Sequence, residues 1–301
     1  MGNRREGDEP AVDLLPILRP GDKVGLIACS DGVPLESSTA IDELIRALER
    51  FGLEAVTAKT LFRKDGWFSG NPEERAAQLH ALFRDDGIKA IFDVSGGDSA
   101  NQVLPFLDEA LIRSHPKPFA GISDLSVLLN GLYARCGLKT VHYRVRNLVS
   151  GHGESQRRWF HETFLQGKDS LFSFSYRWIR GSRMEGAVIG GNLRCFLKLA
   201  GTRHFPDPAD KIMFLESLGG RANRIVSLIA QMEQIGCFER CAGVLLGTFT
   251  ELEANGEFPA VAAYIEQVTR RRGIPIAKTD ELGHGDDGKA VIIGGHLVLN
   301  G

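Results

Sequence analysis

The chain has 301 residues, of which 43% are hydrophobic and 25% charged, with a formal net charge of -2. This is the composition of a globular protein large enough for one big or two medium domains. The absence of a basic excess excludes a general nucleic-acid or membrane-surface binder, because nothing is available to pair with phosphates along an extended surface.

The opening residues "MGNRREGDEP" carry no apolar core of the kind a signal peptide needs, and no apolar run reaches transmembrane length. Cys29, Cys136, Cys195, Cys237 and Cys241 are odd in number and form no CxxC pair. Neither a disulfide framework nor a zinc site is expected, and a reduced, cytoplasmic setting fits.

In chain order, "KVGLIAC" (23–29) is a continuous apolar run of buried-strand type. A helix carrying Ile41, Leu44, Ile45 and Leu48 follows, stopped at Gly52. "EAVTAK" is a second strand, and "GNPEERAAQLHALFRDDG" a helix capped by Asn71, with Pro72 in its first turn. "IKAIFDVSGG" and "KPFAGIS" are the third and fourth strands. Apolar strands alternating with helices predict a parallel sheet covered on both faces.

From 151 to 184 the pattern dissolves into polar and aromatic residues, read as a connecting segment. Regular alternation resumes with "EGAVIGG", "NLRCFLKLAG", "KIMFLES", a helix carrying Ile225, Leu228, Ile229, Met232 and Ile235, then "AGVLLGTF", "PAVAAYIEQVTRRRG", "IPIAKTD" and "AVIIGG". The expected organisation is an N-terminal doubly wound parallel-sheet domain over 1–150 and a smaller C-terminal α/β domain over 185–301. No element is assigned after Gly295.

Ligands of open α/β sheets bind beyond the carboxyl ends of the strands. The fourth strand ends at Gly121-Ile122-Ser123-Asp124 and runs directly into a helix with Leu125, Leu128, Leu129 and Leu132 at helical spacing. A serine at such a corner lies beside unpaired helix N-terminal amides, which suits a nucleophile. Leu125 stands where the second glycine of G-x-S-x-G belongs, so on this feature alone a plain helix N-cap is the first reading and a nucleophile the second. Gly96-Gly97 after the third strand allows a close backbone approach, but neither GxGxxG nor GxxxxGK[ST] is present, and a simple turn is the rival.

Among eight histidines, His284 in "DELGHGDDG" is flanked by glycines after a strand, and His142 ends "KTVHYR". Either could serve a serine as base. Glu216 terminates "KIMFLES" and could orient that base, or be a solvated strand end.

These blocks, from "LRPGDKVGLIACSDG" through "GISDLSVLLNGLYARCGLKTVH", "GAVIGGNLRCFLKLAGT" and "KIMFLES" to "ELGHG", resemble the LD-carboxypeptidase family of serine peptidases, which includes murein tetrapeptide carboxypeptidases and microcin-immunity peptidases. The resemblance implies Ser123 as nucleophile on the first domain, with Glu216 and His284 contributed by the second. It implies an oxyanion hole from the amides of Gly97 and Asp124, and neighbouring substrate contacts at Gly96, Asp98 and His142. It further implies hydrolysis of an L,D-peptide bond in a small murein-type peptide, with a peptidyl- or aminoacyl-nucleotide as the alternative substrate and a non-catalytic small-ligand binder as the remaining reading. No metal, organic cofactor, nucleic-acid or membrane partner is expected, and a homodimer is.

Departures from the family pattern fall near the expected pocket. Ile122 replaces an aromatic residue, "GGDSAN" is spelled as in the microcin-immunity branch, and Tyr143-Arg144 replaces a Gly-Pro pair.

Overall fold

A computed structural model describes residues 17–64 and 66–301. The signal-peptide reading, and residues 1–16 of the first predicted domain, lie outside the described residues. The strands are β1 (Lys23–Ile27), β2 (Glu54–Thr57), β3 (Ile88–Asp93), β4 (Phe119–Gly121), β5 (Thr140–His142), β6 (Arg177–Arg180), β7 (Arg183–Asn192), β8 (Lys211–Ser217), β9 (Gly243–Phe249), β10 (Ile276–Lys278), β11 (Val291–Ile293) and β12 (His296–Asn300). The first five helices are α1 (Ser38–Glu49), α2 (Pro72–Arg84), α3 (Glu109–Ser114), α4 (Ser126–Cys136) and α5 (Gly153–Phe160). They are followed by α6 (Leu193–Phe196), α7 (Ala222–Gln234), α8 (Cys237–Arg240), α9 (Thr250–Ala254) and α10 (Phe258–Thr269).

Two six-stranded sheets result, in the orders β2-β1-β3-β4-β5-β11 and β12-β7-β8-β9-β10-β6. β1 to β5 are parallel, as are β7 to β10, so the fold is α/β in two domains. The apolar runs behave as double-faced burial requires. Leu26 and Phe92 enter one core, while their neighbours Ile27 and Ile91 enter the other. That second core continues without a break into the second sheet through Leu128, Ile189, Phe214 and Leu246.

Local signals act where expected at α2. Asn71 and Glu74 form a reciprocal capping box, with Pro72 in the first turn.

Three strands are arranged differently from the reading of the sequence. β11, from the segment assigned to the second domain, pairs antiparallel with β5 and closes the first sheet. β6 lies within the 151–184 connector and pairs antiparallel with β10 at the far edge of the second sheet. β12 occupies the residues after Gly295 and pairs antiparallel with β7. The connector is also a packing element. Its Phe160 and Phe164 rings meet in a tilted pair at 4.6 Å, and both contact Phe92 of β3, at 5.8 and 5.7 Å.

α4 holds the two sheets in register. Every residue from Ser126 to Leu132 is buried, polar ones included, because the helix packs on the second sheet as well as the first. Asn130 donates to the Gly190 carbonyl at 2.7 Å and accepts from the Gly190 amide at 2.9 Å. Ser126 Oγ accepts from the Asn192 amide at 2.8 Å. A side chain on Gly191, at φ 124, would lie 2.6 Å from Ser126 Oγ, so glycine permits this approach. Asn192 lies in register with Glu216 on β8, so these contacts couple the helix behind Ser123 to the strand bearing Glu216.

Candidate active site

The corner after β4 is built under strain. Ile122 is extended, and Ser123 then adopts φ 63, a left-handed conformation that costs a non-glycine residue energy and recurs at functional sites. A Cβ on Gly121 would come within 2.8 Å of Leu125 Cβ, so glycine lets the turn fold back onto the strand. The strain is held in place through Asp124. Its fully buried carboxylate accepts from Ser30 Oγ at 2.6 Å, the Ala100 amide at 2.7 Å and Lys198 Nζ at 2.5 Å. Lys198 belongs to the second domain, so the corner is fastened from both sides.

The turn after β3 packs beside it. Gly97 has φ 135, and a Cβ there would lie 2.1 Å from Asp31 Oδ2. Asp31 is committed to this turn, accepting from the Asp98 and Ser99 amides at 3.2 and 3.1 Å and from Ser99 Oγ at 2.6 Å. Gly96 is under no such restriction. A Cβ there would meet nothing nearer than Ser123 Cβ, at 4.0 Å.

Asp93 ends β3 in full burial. It accepts from the amides of Cys29 and Ser95 and from Ser95 Oγ at 2.6–2.8 Å. Burial pushes its carboxyl up to about 6, against the opposing pull of those hydrogen bonds.

The second domain brings up an imidazole and a carboxylate. Glu216, at the end of β8, is fully buried, and its Oε2 lies 2.5 Å from His284 Nδ1. His284 stands on the loop between β10 and β11 with its side chain 7% exposed, and its Nε2 has no hydrogen-bond partner. Glycine again permits the approach. A Cβ on Gly283 would strike Thr248 Oγ1 at 2.0 Å, and one on Gly247 would strike the Leu282 carbonyl at 2.4 Å. The loop is tied to the first domain by Asn147 donating to the Gly285 carbonyl at 3.0 Å, and to the connector by Gln156 donating to the Gly288 carbonyl at 2.9 Å.

Ser123 and His284 line one cavity of about 340 Å³, together with Gly96, Gly97, Arg144 and Arg146. A larger cavity of about 800 Å³ is lined by Ile88, Lys117, Pro118 and Lys139, around the amino ends of β3 to β5 and thus at the opposite edge of the sheet.

Of the residues singled out in the sequence, Ser123, His284, Gly96 and Gly97 line the site cavity, and Glu216 contacts His284 from behind. Two are elsewhere. Asp98 does not line the cavity, because its carboxylate faces outward and pairs with Arg194 and Lys198 across the domain boundary. His142 is 1% exposed and does not reach the cavity either. It sits edge-on to Phe214 with its Nε2 3.8 Å from Glu216 Oε1, and burial pushes its pKa down to about 4. The residue passed over is Arg146, whose only signal was its place two residues after the Tyr143-Arg144 departure.

The first-domain signature of the LD-carboxypeptidases (LD-carboxypeptidase N-terminal domain) matches residues 24–143, and the LD-carboxypeptidase C-terminal domain matches 185–299. The chain belongs to the LD-carboxypeptidase family. Relatives include a probable murein peptide carboxypeptidase of Bacillus subtilis, 28% identical over 94% of this chain and 90% of that protein. The murein tetrapeptide carboxypeptidase of Pseudomonas aeruginosa is 27% identical over 93% of each, and the microcin C7 self-immunity protein MccF of Escherichia coli is 24% identical over 89% and 87%. MccF in complex with glutamyl sulfamoyl guanosine superposes with a TM-score of 0.84 at 22% identity, covering 95% of each chain. Family and relatives support a hydrolase of the carboxypeptidase class. No helix among the described residues is long and apolar enough to cross a membrane.

Proposed function

We propose that the protein is a serine peptidase that cleaves an L,D-peptide bond of a murein-type peptide and releases a terminal D-amino acid. The observation that carries this is the pairing of a positive-φ serine with an imidazole in one cavity, the imidazole bonded to a buried carboxylate through Nδ1 while its Nε2 is left without a partner. A buried nitrogen without a partner is costly in a resting protein and useful in one that must accept a proton.

In this reading Ser123 Oγ attacks the amide carbonyl as His284 Nε2 takes its proton. Glu216 holds the imidazole by its Nδ1–H and stabilises the imidazolium that forms. The proton then passes to the leaving amine, an acyl-enzyme remains on Ser123, and water releases it by the reverse sequence. The amides of Gly97 and Asp124 are the oxyanion donors. Neither donates to another described residue, which leaves both available to a developing negative charge. No hydrogen bond joins Ser123 to His284, whose Nε2 is without a partner; contacts between a nucleophile and its base commonly tighten in the complex with substrate.

A second reading keeps this machinery and replaces the peptide with an aminoacyl-nucleotide. It is favoured by the overlay on MccF bound to aminoacyl sulfamoyl nucleosides and by the arginines of the cavity. Incubation with murein tetrapeptide and with aminoacyl sulfamoyl adenosine separates the two. D-alanine release that disappears in Ser123→Ala supports the first reading, and cleavage of the conjugate alone supports the second. Undiminished turnover in Ser123→Ala rejects both.

A further inference from the structure

The cavity around Ser123 contains a cation with nothing to bind. Arg144 and Arg146 follow β5 directly and both line that space. Arg144 is engaged, its Nη1 lying 3.2 Å from Asp286 on the His284 loop. Arg146 is half-buried, and among the described residues its guanidinium has no hydrogen bond, ion pair or ring contact. Burial and the like charge of Arg144 both depress its pKa, and no carboxylate offsets them.

The acidic groups around the cavity are otherwise occupied. Asp93 accepts three hydrogen bonds, Glu216 is buried between His284 on Oε2 and His142 facing Oε1, and Asp286 is held by Arg144. A guanidinium carries five donors in a planar fork, and removing it from water without an acceptor is unfavourable. An arginine left in that state beside a nucleophile is poised for an anion that arrives with the substrate.

We propose that Arg146 is a specificity-determining residue, seating an anionic group of the substrate close to the scissile carbonyl, with Arg144 adding a second positive charge. The cavity volume of about 340 Å³ admits only a small ligand around Ser123, so the anion lies within a few bonds of the carbonyl. A peptide supplies it as the free carboxylate of the leaving residue. An aminoacyl-nucleotide conjugate supplies it as the phosphate-like linker. The inference rests on Ser123 marking the active site.

The test compares the wild-type protein with Arg146→Gln and Arg146→Lys on three ligands: murein tetrapeptide, the same peptide with its terminal carboxylate amidated, and aminoacyl sulfamoyl adenosine. Binding of each is also measured by calorimetry to Ser123→Ala, with and without Arg146→Gln. Arg146→Gln is expected to raise KM for the acid peptide about 10- to 100-fold, the usual range for a charge-assisted hydrogen bond, with a smaller change in kcat. The acid-over-amide preference collapses in that variant and is partly restored by Arg146→Lys. A loss confined to the nucleoside conjugate assigns the anion to the linker instead.

An equal loss on acid and amide peptides would mean a merely structural role and overturn the proposal, as would binding of all three ligands unchanged within twofold. If the wild-type protein turns over none of them, the peptidase reading fails on its own. The anion site is then decided by calorimetry: Arg146-dependent binding upholds it, and binding of none, or binding independent of Arg146, rejects it.

Discussion

The two sheets present their carboxyl ends to the same cavity but complete them differently. On the first, the acids at the strand ends are fully employed: Asp31, Asp93 and Asp124 each accept three hydrogen bonds, tying down the turn after Gly97, the end of β3 and the strained serine corner respectively. On the second, Glu216 has one oxygen on His284 and the other without a hydrogen bond, and His284 keeps a nitrogen unpartnered. Rigidity is therefore concentrated where an attacking atom must be aimed, and unsatisfied capacity where a proton must move. A site whose members must align to about 1 Å requires the first, and general-base chemistry requires the second.

The two histidines around Glu216 sharpen the contrast. His284 reaches the carboxylate at 2.5 Å and also lines the cavity, whereas His142 lies 3.8 Å from it on the closed side. If the division is right, His284→Ala lowers kcat by about 10⁴- to 10⁶-fold, read in steady-state assays of D-amino-acid release. Glu216→Gln follows at about 10⁴-fold, since it keeps the shape but loses the charge that favours the imidazolium. His142→Ala, measured beside them, leaves kcat within about tenfold, the scale of a misplacement smaller than the 1 Å that costs about a hundredfold. A loss equal to that of His284→Ala would break the contrast.

The rigid side is tested through stability. Lys198→Met strips the buried Asp124 carboxylate of its cation and should lower the unfolding free energy by about 3 kcal/mol in denaturant titrations. Gly97→Ala forces a Cβ into Asp31 at a positive φ, at about 1–3 kcal/mol, while Gly96→Ala finds open space and folds normally. Equal stability in the two glycine variants would show that the turn is not held as described.

The smallest effect is on pH dependence. Folded His142 titrates at about 4 against its ordinary 6.5, so between those values the unfolded chain binds the extra proton and wild-type stability falls as pH drops. Asp93 acts in the opposite sense. Its folded value of about 6 against 3.8 means the folded chain holds the proton, and stability falls as pH rises through that window. His142→Phe should therefore lose less stability on acidification than wild type, and Asp93→Asn more, in melts between pH 4 and 6.5.

Much of this architecture is legible in the sequence because parallel strands buried on both faces read as unbroken apolar runs, as "KVGLI", "IKAIF" and "KIMFL" do. The edges are not. β6 reads "RWIR" and β12 "HLVLN", short antiparallel strands with one covered face and no continuous run, and nothing local tells β11 which sheet it joins. The site was visible only as separate strand ends. Residues 123, 216 and 284 carry no mutual spacing signal, and their association came from resemblance to a family. His142 and Asp98 look equivalent to the true cavity residues in sequence. Only burial in one case, and an ion pair across the domain boundary in the other, takes them out.

The most direct measurement is the turnover of Ser123→Ala on murein tetrapeptide, with its fold verified by circular dichroism and an unchanged melting temperature. Acyl transfer through the corner hydroxyl predicts that D-alanine release falls by about 10⁶-fold, toward the remainder that binding and oxyanion stabilisation provide without a nucleophile. Release within tenfold of the wild-type rate in a folded variant would contradict it.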